Sequence, residues 1–246
     1  MKRENIVQLL IFLLGIILIL FACFFPTKTS DGNMERISTV LLSIGCSILA
    51  VVIINFVEYH IKLRELNSIK IISDWKLIAI FKTRQEMNSV TNKLLSKADE
   101  LDIAALGSSG LINFQGNILK ERLRKGLKIR FLIPSEISGF INQREKDEKV
   151  QDGYIKKNIS DLIQWIKETK EELNLQNSAI QIKEYSCLPL DSIMRIDDNI
   201  FIGAFMVKKK SQVTMAYQYG ENGYGYNYYK DYFEDIWNDK SITNSI

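Results

Sequence analysis

The sequence predicts an α/β protein: two N-terminal transmembrane helices followed by an α/β sandwich with a mixed sheet. Three observations carry that reading. Ile6 to Phe25 and Ile37 to Val57 are each mostly apolar and free of formal charge. At about twenty residues and 1.5 Å per residue, each is long enough to cross a ~30 Å hydrocarbon core. Neither carries the polar face of a helix that packs on a soluble core. Beyond them, short apolar runs alternate with segments of helical period, the pattern of an α/β domain. The resulting organisation is a transmembrane hairpin over 1–57, a juxtamembrane helical linker over 58–75 and an α/β domain over 76–246.

The chain has 246 residues, and removal of the hairpin leaves roughly 185, enough for one buried core. A formal net charge of +3 is too small to imply a nucleic-acid partner. Cys23 and Cys46 lie inside the apolar spans and Cys187 stands alone, so no disulfide or metal spacing exists and neither a metal nor a cofactor is expected. The first apolar run exceeds a signal-peptide core, and no small-residue cleavage site precedes Pro26, so it is read as an uncleaved membrane helix. Lys2 and Arg3 precede the first span, and Lys62, Arg64 and Lys70 follow the second. The connector Pro26 to Arg36 balances Lys28 and Arg36 against Asp31 and Glu35. This bias favours an inner (plasma) membrane protein with its N-terminus and soluble domain in the cytoplasm.

Within the second span, Thr39, Ser43 and Ser47 recur every fourth residue, with Gly45 and Ala50 as further small positions. Small residues let membrane helices approach closely. The stripe serves either self-association into a homo-oligomer or the packing of the two hairpin helices against each other. Gln8 and Asn55 could hydrogen-bond across such an interface or lie at headgroup depth. Glu58 to Ile72 continues the second helix and holds His60, the one histidine, which without a second imidazole is read as a solvated interfacial residue.

The α/β part is read element by element. Leu77 to Phe81 is an apolar strand. Arg84 to Glu100 is a helix with Met87, Val90, Leu94, Leu95 and Ala98 on one face. Leu101 to Leu106 is a strand ended by Gly107-Ser108-Ser109-Gly110. Asn113 to Lys125 is a helix with Gly126 as C-cap, and Lys128 to Ile133 a strand stopped by Pro134. Strand, helix and strand with short loops form a βαβ unit with parallel strands. Arg144 to Gly153 is charged and turn-like. Gly153 to Leu173 is the clearest amphipathic helix. Ile180 to Tyr185, Ser192 to Ile196 and Ile200 to Val207 are strands, the last two joined across Asp197-Asp198-Asn199. Lys208 to Lys210 is a basic turn, and Val213, Met215 and Tyr217 alternate as a strand. A Gly/Tyr loop, Tyr217 to Tyr229, precedes an aromatic helix, Tyr228 to Trp237.

That order resembles phospholipase D-like domains. IAIFKTRQEMNSVTNKLLSKADELDIAALGSSG followed by LKERLRKGLKIRFLIP is similar to the opening half of such domains. SIMRIDDNIFIGAF is similar to the strand pair that carries the family's HxKxxxxD signature, and YYKDYFEDIWNDKS to the final helix; the resemblance covers Leu77 to Lys240. With Asp197 at the motif's aspartate, Leu190 falls where the histidine belongs and Ser192 where the lysine belongs. The family's chemistry uses one histidine as nucleophile and a second as general acid. The resemblance therefore implies the fold and a catalytically degenerate domain.

Chemistry that remains is a ligand site rather than a catalytic one. Ser108, Ser109 and Gly110, at a strand's C-terminal end before a helix, could cradle an anion, with Arg195 or Arg130 supplying charge and Asp197 carried over from the motif. The same Gly-Ser segment also reads as an ordinary βα turn. Arg122, Arg124, Lys125, Lys128 and Arg130 form a basic cluster suited to anionic lipid headgroups or to plain solvation. Tyr217, Tyr219, Tyr224, Tyr226, Tyr228 and Tyr229, interleaved with glycines, read as a recognition loop or as packing on their own domain. Three functions follow. The first is a non-catalytic membrane effector that senses a nucleotide or protein ligand, a layout used in bacterial defence. The second is a membrane-bound phosphodiesterase or phospholipid-modifying enzyme, and the third a structural membrane scaffold. The lipid bilayer is a partner in all three.

Overall fold

A computed structural model of the chain describes residues 3–24, 33–188 and 191–246. Lys2, the connector residues 26–32 with Lys28, and Leu190 at the motif's histidine position lie outside the described residues. The chain divides into two compact units, Met1–Ile71 and Ile72–Ile246.

In the first unit, α1 (Arg3–Phe24) and α2 (Asn33–Trp75) are helical throughout. From Ser38 to Trp75, α2 is long and apolar enough to cross a membrane by length and composition, and only 6% of its most apolar stretch is buried. A core helix of that hydropathy would be covered by protein. The described apolar part of α1, Leu10–Phe24, is shorter. The helices cross where Gly15 meets Gly45. A Cβ on Gly45 would lie 2.6 Å from Ile19 Cγ1 and 3.0 Å from the Gly15 carbonyl oxygen, so only glycine allows this approach. Ser38 Oγ donates to the Ala22 carbonyl at 2.8 Å and satisfies one of the last-turn acceptors of α1. Gly45 therefore belongs to the seam with α1 and not to the small-residue stripe. Thr39, Ser43 and Ser47 are exposed on the other side of α2; at about 100° per residue, Ser43 and Ser47 fall nearly opposite Gly45.

The second unit is built on one mixed eight-stranded sheet of order β1-β7-β6-β5-β2-β3-β4-β8. The strands are β1 (Leu77–Phe81), β2 (Glu100–Ala104), β3 (Lys128–Pro134), β4 (Ile180–Tyr185), β5 (Asp191–Ile196), β6 (Asn199–Ala204), β7 (Ala216–Gly220) and β8 (Thr243–Ser245). β2, β3 and β4 run parallel, and the remaining pairs are antiparallel. The parallel pairing of β2 with β3 is the βαβ unit expected from the sequence. α3 (Arg84–Leu95), α4 (Ser109–Leu123), α5 (Gly139–Glu148) and α6 (Tyr154–Glu172) contribute Met87, Leu95, Leu111, Leu119, Ile141, Ile159 and Leu162 to a core on one face of the sheet. α7 (Tyr224–Asn238) packs Phe233, Ile236 and Trp237 on the other, against Leu132, Ile193, Ile200 and Ile202.

Several local expectations are corrected. α4 starts at Ser109 rather than Asn113, so its first turn meets the end of β2. The charged stretch expected as a turn from Arg144 is the second half of α5. Arg144 and Glu145 are 6% and 1% exposed, because Glu145 accepts the N–H groups of Gly153 (2.9 Å) and Ile155 (2.8 Å) and caps α6 with its carboxylate. The expected strand through Val213 is a 3-10 turn, Ser211–Val213, and β7 begins only at Ala216. The Gly/Tyr stretch is no loop: Tyr217 and Tyr219 are on β7 and Tyr224, Tyr226, Tyr228 and Tyr229 on α7. Tyr219 stacks on Tyr217 and Tyr229 and Tyr226 is buried, whereas Tyr224 and Tyr228 remain 66% and 65% exposed.

Candidate functional site

The carboxyl end of β2 continues through Ala105 and Leu106 to Gly107, where the chain turns into α4. Ser108, the residue before that helix, holds a left-handed backbone at φ 48° and makes no side-chain cap. A non-glycine residue there is strained by roughly 1 kcal/mol. Its Oγ is buried and has no hydrogen-bond partner among the described residues. Ser108, Ser109 and Gly110 line a cavity of about 230 Å³. The apolar wall includes Met87, Leu111, Ile155, Met194 and Phe201, and Ser192, Asn158 and Gln212 add polar groups.

Two cations line this cavity, the exposed Lys210 and Arg84, the first residue of α3. Arg84 Nη2 donates to the carbonyls of Gly203 (2.5 Å) and Ala204 (3.2 Å) at the end of β6. The guanidinium lies against Gly203, where any side chain would collide with it. It also stacks on Phe205 at 5.6 Å, and Arg144 stacks on the same ring at 5.3 Å. Burial, and then the neighbouring charge of Arg144, pull the pKa of Arg84 down to about 10, which leaves it charged at neutral pH. Arg144 is bound to Glu148 (2.5 Å) and donates to the carbonyls of Met206 (2.8 Å) and Lys209 (3.3 Å). Ser211 Oγ also reaches Glu148, at 3.1 Å. The segment after β6 is thus fastened to α5 at the cavity mouth. Asp191, at the start of β5, is pushed above the ordinary carboxylate range by burial, although Arg84 and a hydrogen bond from Tyr229 pull the other way.

Arg195 and Asp197 do not line this cavity. Arg195 belongs to a second cluster, with Nε on Asp102 (2.5 Å) and Nη2 on Glu100 (2.9 Å). Arg130 completes it, forked onto Asp102 at 2.7 and 2.8 Å, bonded to Glu234 at 2.5 Å and stacked over Phe233 and Trp237. Burial opposes the charge on both arginines, but the Asp102 carboxylate outweighs it and their pKa values lie above the ordinary guanidinium value. This is an ion-pair network centred on the buried Asp102 and Arg195, with Glu100 and Glu234 reaching solvent. Asp197 accepts the backbone N–H groups of Asp99 (3.0 Å) and Glu100 (2.8 Å) and holds the start of β2 against the β5–β6 turn.

Three of the five residues of the expected basic cluster, Arg122, Arg124 and Arg130, meet carboxylates. Arg122 bonds the Ala98 carbonyl and Asp99, Lys120 and Arg124 meet Glu172, and Arg130 is in the network above. Cys187 gains no activation, since burial pushes its thiol up. Among the described residues no group of three or more His, Cys, Asp or Glu is placed to hold a metal ion. The residue that spacing missed is Arg84. A cation at the first position of a helix opposes the helix dipole, and that local misfit is the one signal in the sequence that could have marked it.

No family model matches the chain, and no curated protein does. Among solved structures, the chain is similar to Nuc, a phospholipase D family member from Salmonella typhimurium, at 11% identity and TM-score 0.41, over 68% of this chain and 96% of that one. It is similar to phosphatidylserine synthase of Haemophilus influenzae at 10% identity and TM-score 0.45, over 67% and 37%. A third similar structure is the archaeal chromatin protein TrmBL2, at 11% identity and TM-score 0.42, over 80% and 69%. Likenesses this distant carry no weight for what the chain binds or does.

Proposed function

We propose that the chain is a membrane-anchored protein whose phospholipase D-like α/β domain binds a ligand in the cavity at the end of β2 without hydrolysing phosphodiesters. The observation that carries this reading is a cavity holding a half-buried arginine and a serine hydroxyl with no partner among the described residues, in a domain whose sequence contains no histidine. The groups present bind; none is an imidazole that could attack phosphorus or protonate a leaving group. The apolar, uncovered α2 supports anchoring in a bilayer, with α1 as a second membrane helix and the soluble domain in the cytoplasm. Ligand occupancy then governs association of chains through the exposed Thr39, Ser43 and Ser47 face, as in a sensing effector.

The test uses the purified full-length protein in detergent with a panel of nucleotides and phospholipids, read by thermal shift and by a phosphodiesterase assay. One class of ligand raises the melting temperature, since a ligand at a hundredfold its Kd stabilises by about 2.7 kcal/mol, and no member of the panel is hydrolysed. Turnover that survives His60→Ala and is lost on Arg84→Gln would overturn the reading.

A further inference from the structure

On the sheet face that carries α7, the strands to either side of the helix differ in kind. Toward β4 and β8, Arg130 lies across from Gln181 and Lys183 across from Ser245, and Arg130 and Lys183 also bond to α7. That surface suits water. Toward β7 and β1 it is aromatic and aliphatic. Ile80 lies across from Tyr217, whose hydroxyl donates to Met215 Sδ at 3.0 Å. Tyr219 carries the surface on to Trp75, with ring centroids 6.2 Å apart, and through Tyr229 to Tyr228. Trp75, Ile80, Met215 and Tyr228 are all exposed. The solvated face of an antiparallel pair is ordinarily polar, and a continuous apolar patch left open marks an interaction surface.

We infer that this patch docks a second copy of the chain, the β1–β7 flank and the α7 tyrosines of one copy lying on those of its partner. Docking here depends neither on what the cavity binds nor on the α2 stripe. Size and composition fit. At about 200 Å² for a large side chain, the exposed fractions of these four residues and Tyr224 leave roughly 550 Å² open. Two copies bury roughly 1,100 Å², above the ~1,000 Å² that a specific interface needs. Tyr, Trp and Met are enriched in such interfaces. The rim separates a second copy from a bilayer. Lys76 and Lys82 bound β1 and Glu221 follows β7; all three are exposed and in no ion pair among the described residues. A two-fold contact is self-complementary, so the lysines of one copy face Glu221 of the other. An anionic lipid surface attracts the lysines but repels the glutamate.

The experiment introduces Ile80→Cys, Tyr228→Cys and Gln181→Cys singly into full-length protein with Cys23, Cys46 and Cys187 changed to serine. Each protein is treated in detergent with a short bismaleimide. Chain-to-chain products should form at positions 80 and 228 and not at 181, which is exposed on the polar side of α7. Adding Ile80→Glu to the Tyr228→Cys protein should cut its crosslinked yield about tenfold. Because position 80 is exposed, that substitution should leave the melting temperature within about 2 °C of the parent. No product at 80 and 228, equal product at all three positions, or a yield at 228 that survives Ile80→Glu overturns the inference. A fluorophore at position 80 that is quenched by brominated lipid in nanodiscs also overturns it and makes the bilayer the occupant.

Discussion

Arg84 and Asp191 are neighbours with opposite misfortunes: burial lowers the pKa of the arginine and raises that of the aspartate. The aspartate has a consequence for stability that can be signed. A carboxyl whose folded pKa lies above its unfolded value favours folding when protonated; that contribution is complete below the unfolded pKa and is lost as pH rises through the folded one. At neutral pH the Asp191 charge therefore costs stability even with Arg84 and Tyr229 nearby. Asp191→Asn should raise the melting temperature at pH 7 by about 1 to 3 °C. The gain should vanish near pH 3, where both proteins are neutral at this position. Melting curves at the two pH values check it, and a variant less stable at pH 7 would mean that attraction to Arg84 outweighs burial. Asp197 illustrates a different limit. Its type and spacing pointed to a motif, but its carboxylate is spent on two backbone N–H groups that hold β2 to the β5–β6 turn. A short polar side chain in a left-handed turn position has such local uses available, and sequence does not say which use the fold adopts.

At the scale of elements, periodicity was a dependable guide where one face is apolar and the other charged. It located α6 within a residue at each end, and β1, β3 and β4 to similar precision. It failed where charges are buried. The run from Arg144 onward reads as solvated turn, yet its arginine and glutamates fasten α5 to the start of α6 and to the segment after β6. The Ser108–Gly110 turn was legible as a candidate because it ends a parallel strand, whereas Arg84 was not, since nothing in its spacing ties it to residues more than a hundred positions away. The two sides of α2 sharpen the question of assembly. Gly45 is the contact to α1, and Ser43 and Ser47 face away from it. Single cysteines should distinguish the sides, in a background with Cys23, Cys46 and Cys187 changed to serine. Positions 43 and 47 should form chain-to-chain disulfides and Leu41 and Val52 none, because a disulfide needs Cα atoms within about 7 Å. Hydroxyl bonds across such an interface contribute only about 0.6 kcal/mol each, so close backbone packing is the larger effect. Equal crosslinking at all four positions would remove the stripe from the account.

For the whole molecule, the proposed anchor makes a plain expectation: alkaline carbonate should leave the full-length protein in the membrane pellet, and recovery in the supernatant would refute insertion. The mixed α/β class was readable from the order of elements, but the strand neighbours were not. Alternation and apolar runs report which faces are buried, not that β5 lies between β2 and β6 or that β1 pairs with β7. That last pairing shapes how the protein is made. β1 leaves the ribosome straight after α2, while its partner β7 is synthesised about 135 residues later, a wait of roughly 7 to 27 s at ordinary translation rates. Ile78 and Ile80 remain 56% and 58% exposed even in the finished fold. For that interval the nascent chain displays an unpaired apolar strand, the kind of segment that holding chaperones recognise. The dependence of yield on chaperone supply should accordingly concentrate in these five residues.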